Sequence, residues 1–259
     1  MLQLKANNHL FYQRSALLLN KSITWKYKGT TEMAIINGTD FNDNGIDKEE
    51  LVGTNQSDSI YGKAGNDILS GRDGSDALHG GNGNDVLDGG DDTDILLGDA
   101  GNDTLYGRVG NDYLKGGPGD DYLVGGSLND ALFGDKGNDT LLGGSGNDYL
   151  FGYGYGQNEF DILTGGSGKD TFALGDLSYG DNVHYLGNGY ATITDFSLAQ
   201  TDQIHIKGQI ADGYSLKLGN WEGSNAQDTG IFYKGDLIGV VQDQNITNLN
   251  QNQVFFSVG

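Results

Sequence analysis

The chain has 259 residues, with 36 acidic side chains against 15 basic ones, a formal charge of −21, 45 glycines, one proline, no cysteine and a mean hydropathy of −0.45. Acidity of this strength works against nucleic acid and anionic membrane surfaces as direct partners. The absence of cysteine removes disulfides as a staple and a thiol as a nucleophile, and high charge with low hydrophobicity marks a chain that stays unfolded until something neutralises it.

In chain order, residues 1–32 carry Lys5, Arg14, Lys21, Lys26 and Lys28 and differ in composition from the rest. They read as a disordered N-terminal extension, or as a segment added by an upstream start site. The apolar stretch Ala16 to Leu19 is too short for the core of a signal peptide, and no segment approaches a membrane span. Residues 33–52 read as a degenerate N-terminal cap. Within them Asp40, Asn42, Asn44 and Gly45 imitate the first half of an EF-hand loop, but the closing position holds Leu51, with Glu50 one place early.

From Gly53 a nine-residue unit recurs. Its sixth residue is Asp58, Asp67, Asp76, Asp85, Asp94, Asp103, Asp112, Asp121, Asp130, Asp139 and Asp148 without a change of interval, then Asp161 after four inserted residues, then Asp170, thirteen copies in all. The first residue is Gly in every copy, which predicts a backbone with positive φ or no room for a Cβ. The eighth residue is Ile60, Leu69, Leu78, Leu87, Leu96, Leu105, Leu114, Leu123, Leu132, Leu141, Leu150, Leu163 or Phe172, an apolar row that predicts the core. Seventh residues such as Ile68, Val86, Thr104, Tyr113 and Tyr122 are β-branched or aromatic, so the last three positions read as a very short strand between tight turns.

Two units make one coil: turn, strand, turn, strand. Coils stacked at the ~4.8 Å spacing of neighbouring strands would gather Asp58, Asp76, Asp94, Asp112, Asp130 and Asp148 on one edge and Asp67, Asp85, Asp103, Asp121 and Asp139 on the other. Adjacent carboxylates cost each other about 1 kcal/mol in water and several times more in a less polar setting, so such ranks call for cations. Glycine turns direct backbone carbonyls inward, and a shell of about six to eight oxygens suits Ca²⁺ better than Mg²⁺, which demands a tighter octahedron.

The units from Gly80 (GGNGNDVLD), Gly116 (GGPGDDYLV) and Gly143 (GGSGNDYLF) resemble the RTX nonapeptide, Gly-Gly-x-Gly-x-Asp-x-U-x with U a large apolar residue. The resemblance implies an all-β fold, a parallel β-roll (β-solenoid) over residues 53–173, with ions held between adjacent turns by loop carbonyls and by the motif Asp of both. With Asp161 and Asp170 included, one edge has six gaps and the other five, so eleven Ca²⁺ is the upper bound. Units whose fourth residue is Gln56, Asp92, Leu128 or Glu159 in place of Gly are expected to lose geometry or occupancy there, although Asp92 and Glu159 could supply an extra carboxylate.

The insertion Tyr153 to Phe160 reads as a bulged loop or a small sugar-stacking patch. Residues 174–259 lose the period but keep short β-rich segments, Thr171 to Leu174, Ala191 to Phe196, Gln203 to Ile206, Tyr214 to Leu218, Ile231 to Tyr233 and Leu237 to Val241, and read as a β-rich C-terminal cap over the open end of the roll. Asp195 and Asp202 there are either extra ligands or surface turn residues. The apolar end Val254 to Gly259 is compatible with a type I secretion signal, which the resemblance implies, together with the type I secretion machinery as a partner and an extracellular or cell-surface location.

Nothing points to catalysis. His9, His79, His184 and His205 are scattered, no His-Glu-x-x-His occurs, and no Ser sits in Gly-x-Ser-x-Gly. Paired carboxylates could hydrolyse glycosides only if free of metal. The expectation is a secreted, non-enzymatic calcium-binding protein that folds on binding Ca²⁺, with a calcium-dependent adhesion or carbohydrate-binding module, and surface glycans as partners, as the alternative.

Overall fold

A computed structural model describes residues 35–41, 50–153, 158–174, 189–207, 214–219, 227–233, 236–242 and 254–257. The 1–32 extension, most of the EF-hand-like loop, residues 154–157 of the insertion and the last two residues lie outside these. The described residues contain strands and no helix, so none is long and apolar enough to cross a membrane.

Successive strands fall alternately into two sheets. One stacks, in order, Ile35–Asn37, Ser59–Ala64, Ala77–Asn82, Ile95–Ala100, Tyr113–Pro118, Ala131–Lys136, Tyr149–Tyr153, Thr171–Ala173, Gln203–Lys207 and Val254–Ser257. The other stacks Leu51–Val52, Ile68–Asp73, Val86–Asp91, Thr104–Val109, Tyr122–Ser127, Thr140–Ser145, Phe160–Ser167 and Tyr190–Ile193. Pairing along both is parallel, and through the uninterrupted repeats the offset is eighteen residues, Ile60 beside Leu78 and Leu78 beside Leu96 in the first, Leu69 beside Leu87 and Leu87 beside Leu105 in the second. The fold is therefore the parallel β-roll expected from the repeat, one coil for every two units.

The strands are longer than the three residues expected. A typical one has six, from the seventh position of one unit through the third of the next, as in Ser59–Ala64 with burial alternating along it. The first Gly of every unit after Gly53 thus lies inside a strand and not in a turn, and its φ is not positive. It is required for room: a Cβ on Gly80 would fall on the Asp85 Oδ2 and 2.8 Å from the Gly98 carbonyl oxygen. Positive φ belongs to the second and fourth positions, for example Gly81 (109°) and Gly83 (131°).

The core is the eighth-position row. From Ile60 to Phe172 every member is fully buried, and Ile36 and Leu51 prolong it at one end, Ile193 and Ile204 at the other. Burial of one such side chain stabilises by about 1.5–3 kcal/mol. Beyond residue 173 the roll continues without its period, Leu163 stacking beside Ile193 and Phe172 beside Ile204. Asp236–Val241 then joins the second sheet parallel to Tyr190–Ile193, and Asp228–Tyr233 and Tyr214–Gly219 add antiparallel strands at its edge.

Two substitutions probe this framework. Leu96→Asp places an unpaired carboxylate in the row and should destabilise the roll by more than about 4 kcal/mol, leaving the chain without a β signal in circular dichroism at any calcium concentration; a folded product would mean the row does not face inward. Leu128 holds φ at 77° in a fourth position where most units have Gly, and its side chain is exposed. Relief of that backbone strain in Leu128→Gly should raise stability by about 1 kcal/mol, readable as a higher thermal midpoint.

Candidate calcium turns

The tightness of the turns follows from the strands. With the seventh through third positions paired, only the fourth, fifth and sixth residues connect one sheet to the other, and the motif Asp is drawn inside. All thirteen motif Asp residues are buried, none more than 3% exposed. The structure brings them together in the two ranks expected. The backbone N–H of Asp58 donates to Asp76 Oδ1 at 2.7 Å, that of Asp76 to Asp94 Oδ1 at 2.8 Å, and the series continues through Asp112, Asp130 and Asp148 to Asp170. On the other edge Asp67 donates to Asp85 Oδ1 at 2.7 Å, and the chain of bonds runs through Asp103, Asp121 and Asp139 to Asp161. The insertion leaves both ranks in register, the last link of each spanning 22 residues in sequence where the others span 18.

One oxygen of every carboxylate after the first of each rank, Asp58 and Asp67, is thereby used. The other is not: Oδ2 of Asp76, Asp85, Asp94, Asp103, Asp112, Asp121, Asp130, Asp139, Asp148 and Asp170 is buried with no hydrogen-bond donor. Such an atom ordinarily costs about 1–3 kcal/mol, and more if charged. Backbone carbonyls line the same turns. A Cβ on Gly83 would run into the Gly65 oxygen, one on Gly101 into the Gly83 oxygen, and one on Gly119 into the Gly101 oxygen, so the fourth-position carbonyls form a file beside the carboxylates. Acceptors without donors are what a hard divalent cation takes as ligands, and the donor set therefore fits Ca²⁺. Among the described residues no three His, Cys, Asp or Glu side chains converge on one point, so carbonyls have to complete any shell.

At two of the replaced glycines the file continues, whereas at Gln56 the turn differs, a Cβ on Gly74 meeting the Gln56 carbonyl carbon before its oxygen. Asp92 and Leu128 both adopt φ of 77°, and a Cβ on Gly110 or Gly146 would still meet the Asp92 or Leu128 carbonyl oxygen. Glu159 is buried at 7% exposure, and its carbonyl accepts the Tyr190 N–H at 3.0 Å. Asp195 takes the N–H groups of Gly165 and Gly166 on its two oxygens, 2.9 and 2.6 Å. Asp202 is buried and stands one coil beyond Asp170, whose N–H it accepts at 3.0 Å.

Two sets of residues escaped the sequence reading. Fifth-position side chains form a second ladder, the Asn84 N–H donating to Asn66 Oδ1 at 2.8 Å and the Asn102 N–H to Asn84 Oδ1 at 3.0 Å, with Asn111, Asn129 and Asn147 doing the same on the other edge. The recurrence of Asn before the motif Asp was the signal. Charged second-position residues also pair with the ninth residue twenty places earlier: Arg108 with Asp88 at 2.7 Å, Asp135 with Lys115 at 2.9 Å and Asp99 with His79 at 3.8 Å.

Burial pushes the interior carboxyls up. Asp85, Asp112, Asp148 and Asp170 rise to about 6, Asp76, Asp94 and Asp121 to about 7, Asp103 and Asp130 to about 8, and Asp139 to about 9. The N–H from the preceding coil opposes this, and for most of them neighbouring carboxylates add to it. A folded-state value above the unfolded one means that the proton-bound roll is favoured. That stabilisation is full below about pH 4 and is lost as pH rises through about 6 to 9. After removal of metal on a chelating resin, the β signal should therefore be stronger at about pH 5 than at about pH 8, and a signal that grows with pH would contradict the buried ranks.

The RTX calcium-binding nonapeptide repeat (4 copies) matches at residues 52–87, 88–123, 124–154 and 155–176. No curated protein matches the chain. Among solved structures, the AlgE6R3 subunit of the Azotobacter vinelandii mannuronan C5-epimerase is 20% identical, with 80% of this chain and 82% of that chain covered and a TM-score of 0.24. The extracellular lipase LipA from Serratia marcescens is 18% identical, with a TM-score of 0.20; 83% of this chain is covered, but only 42% of the lipase. Likenesses at these scores carry no argument about activity. The nine-residue period, the buried Asp ranks and the family match agree: residues 52–176 belong to the RTX calcium-binding nonapeptide repeats.

Proposed function

We propose that this chain is a secreted, non-enzymatic calcium-binding protein whose roll folds when Ca²⁺ enters the turns. The observation that carries the reading is the file of buried Asp Oδ2 atoms without donors, from Asp76 to Asp170. The motif Asp residues from Asp67 through Asp170 and the carbonyls beside them would hold the ions. When bound, Ca²⁺ supplies the positive charge that lets neighbouring carboxylates remain ionised inside the turns. The chain's own residues do the rest: the Leu row buries apolar surface, and the Asp N–H to Oδ1 bonds fix each carboxylate in register.

Calcium binding is then folding free energy, because the assembled site exists only in the stacked coils. Extracellular calcium modules bind at about 10⁻⁴ to 10⁻³ M, well above the free level inside a cell, so such a chain stays unfolded before export and folds after it. That fits passage through type I secretion machinery and an extracellular or cell-surface location.

A calcium-dependent glycan-binding module is the second reading. It draws on an aromatic row on the outer face of one sheet, where the Tyr113 and Phe133 rings lie 5.1 Å apart and Phe133 and Tyr149 5.9 Å. Specific retention on a glycan array in the presence of calcium would favour it, and silence would favour the calcium module alone.

The test of the main reading is a far-UV circular dichroism titration from chelator to about 10 mM calcium with magnesium as the control. A calcium-selective coil-to-β transition is expected. Asp85→Ala with Asp103→Ala should raise its midpoint about tenfold, equivalent to about 1.4 kcal/mol. An equally folded chain in chelator, or an unmoved midpoint, would contradict the ligand assignment.

A further inference from the structure

The carboxylates at the two ends of the longer rank are held unlike those between them. Asp58 Oδ2 accepts the Thr54 backbone N–H at 2.5 Å and the Thr54 hydroxyl at 2.9 Å. Thr54 occupies the second position of its unit, where later turns of this rank carry Arg72, Gly90, Arg108, Gly126 and Gly144, none with a hydroxyl to donate. At the far end Asp202, which lies outside the nonapeptide series, stands in register one coil beyond Asp170. Its Oδ1 takes the Asp170 N–H at 3.0 Å and its Oδ2 takes the Ser197 N–H at 2.7 Å. Between these ends Asp76, Asp94, Asp112, Asp130, Asp148 and Asp170 each keep a buried Oδ2 without a donor.

We propose that Thr54 and the Ser197 N–H are hydrogen-bonded plugs that end the calcium array, so that Asp58 and Asp202 stand in the file of carboxylates and hold no ion. The inference rests on the calcium reading above and narrows it. An oxygen that already has protein donors has its charge compensated locally. A cation entering there would have to displace them and strand polar groups in a partly buried turn, whereas an ion at an interior turn displaces nothing. The closure removes the Asp58–Asp76 gap and adds none at Asp202, which lowers the ceiling of eleven ions to ten. It also gives the roll two ends whose carboxylates need no metal, so the outermost coils can close against neighbours that calcium has already folded.

The experiment counts ions. The full chain at saturating calcium would be examined by native mass spectrometry, with the folding midpoint followed by circular dichroism. Asp58→Asn and Asp202→Asn are expected to keep the wild-type ion count and to shift the calcium midpoint less than about twofold, because neither residue is an ion ligand. Asp94→Asn, in the middle of the same rank, is expected to lose at least one ion and to raise the midpoint about tenfold; a chain of this variant that stays unfolded to about 10 mM calcium is the same result at its limit. Loss of an ion from either end variant, or a shift in its midpoint as large as that of Asp94→Asn, overturns the proposal. A wild-type chain that binds no calcium overturns the calcium reading itself, and the plugs with it.

Discussion

Parallel strands in this roll stack at the spacing of backbone hydrogen bonds, about 4.8 Å, and the nine-residue period places an Asp at every turn of every coil. The leucine row and the carboxylate rank are therefore inseparable. Every coil that adds two Leu side chains to the core also adds one carboxylate to each file, inside the fold where water cannot screen it. Apolar burial favours growth of the stack and charge repulsion opposes it by a comparable amount per coil. A divalent ion between carboxylates would reverse the sign of the second term, as protonation of the same carboxyls would remove it.

The turns hold their shape by backbone geometry that glycine adopts without strain, and the departures show how firmly that geometry is imposed. Lys63, Arg72, Asp92, Asp99, Arg108, Leu128 and Asp135 all take positive φ at second or fourth positions. Each costs about 1–2 kcal/mol relative to Gly. Arg108 and Asp135 return part of it through ion pairs with the coil below. Those pairs are partly exposed and contribute up to about 1 kcal/mol apiece. Arg108 also lies 4.8 Å from the Tyr106 ring. Register is thus held from both sides of each turn, by Asp Oδ1 inside and by Asn Oδ1 and charged pairs outside.

The ends of the stack obey a different rule. A bare end would offer unpaired strand backbone and an apolar layer to another chain. Here Ile36 and Leu51 carry the core one coil beyond the repeat at one end. At the other end, the second sheet changes from parallel to antiparallel pairing at Asp228–Tyr233, which no further coil can match. Asp202 commits both oxygens to N–H groups, so the longer carboxylate file ends on hydrogen bonds.

Much of the fold was legible in the sequence because its information is one-dimensional: a strict period of nine fixes which residues lie one coil apart, and alternation about the eighth position fixes which of them face inward. The two Asp ranks, the buried row from Ile60 to Phe172 and the two-unit coil all follow from that arithmetic and from strand geometry. The reason for the first glycine did not follow, since exclusion of a Cβ by Asp85 Oδ2 and the Gly98 carbonyl over Gly80 is a contact between coils, invisible within one unit. The tolerance of Asp92 and Leu128 in glycine positions likewise depended on neighbouring coils that hold the turn in place. Asp202 could not be assigned to the rank from sequence, because the period had already ended thirty residues earlier. Only the stacking of Gln203–Lys207 on Thr171–Ala173 put it there, and only the approach of Thr54 and Ser197 distinguished the terminal carboxylates from the interior ones.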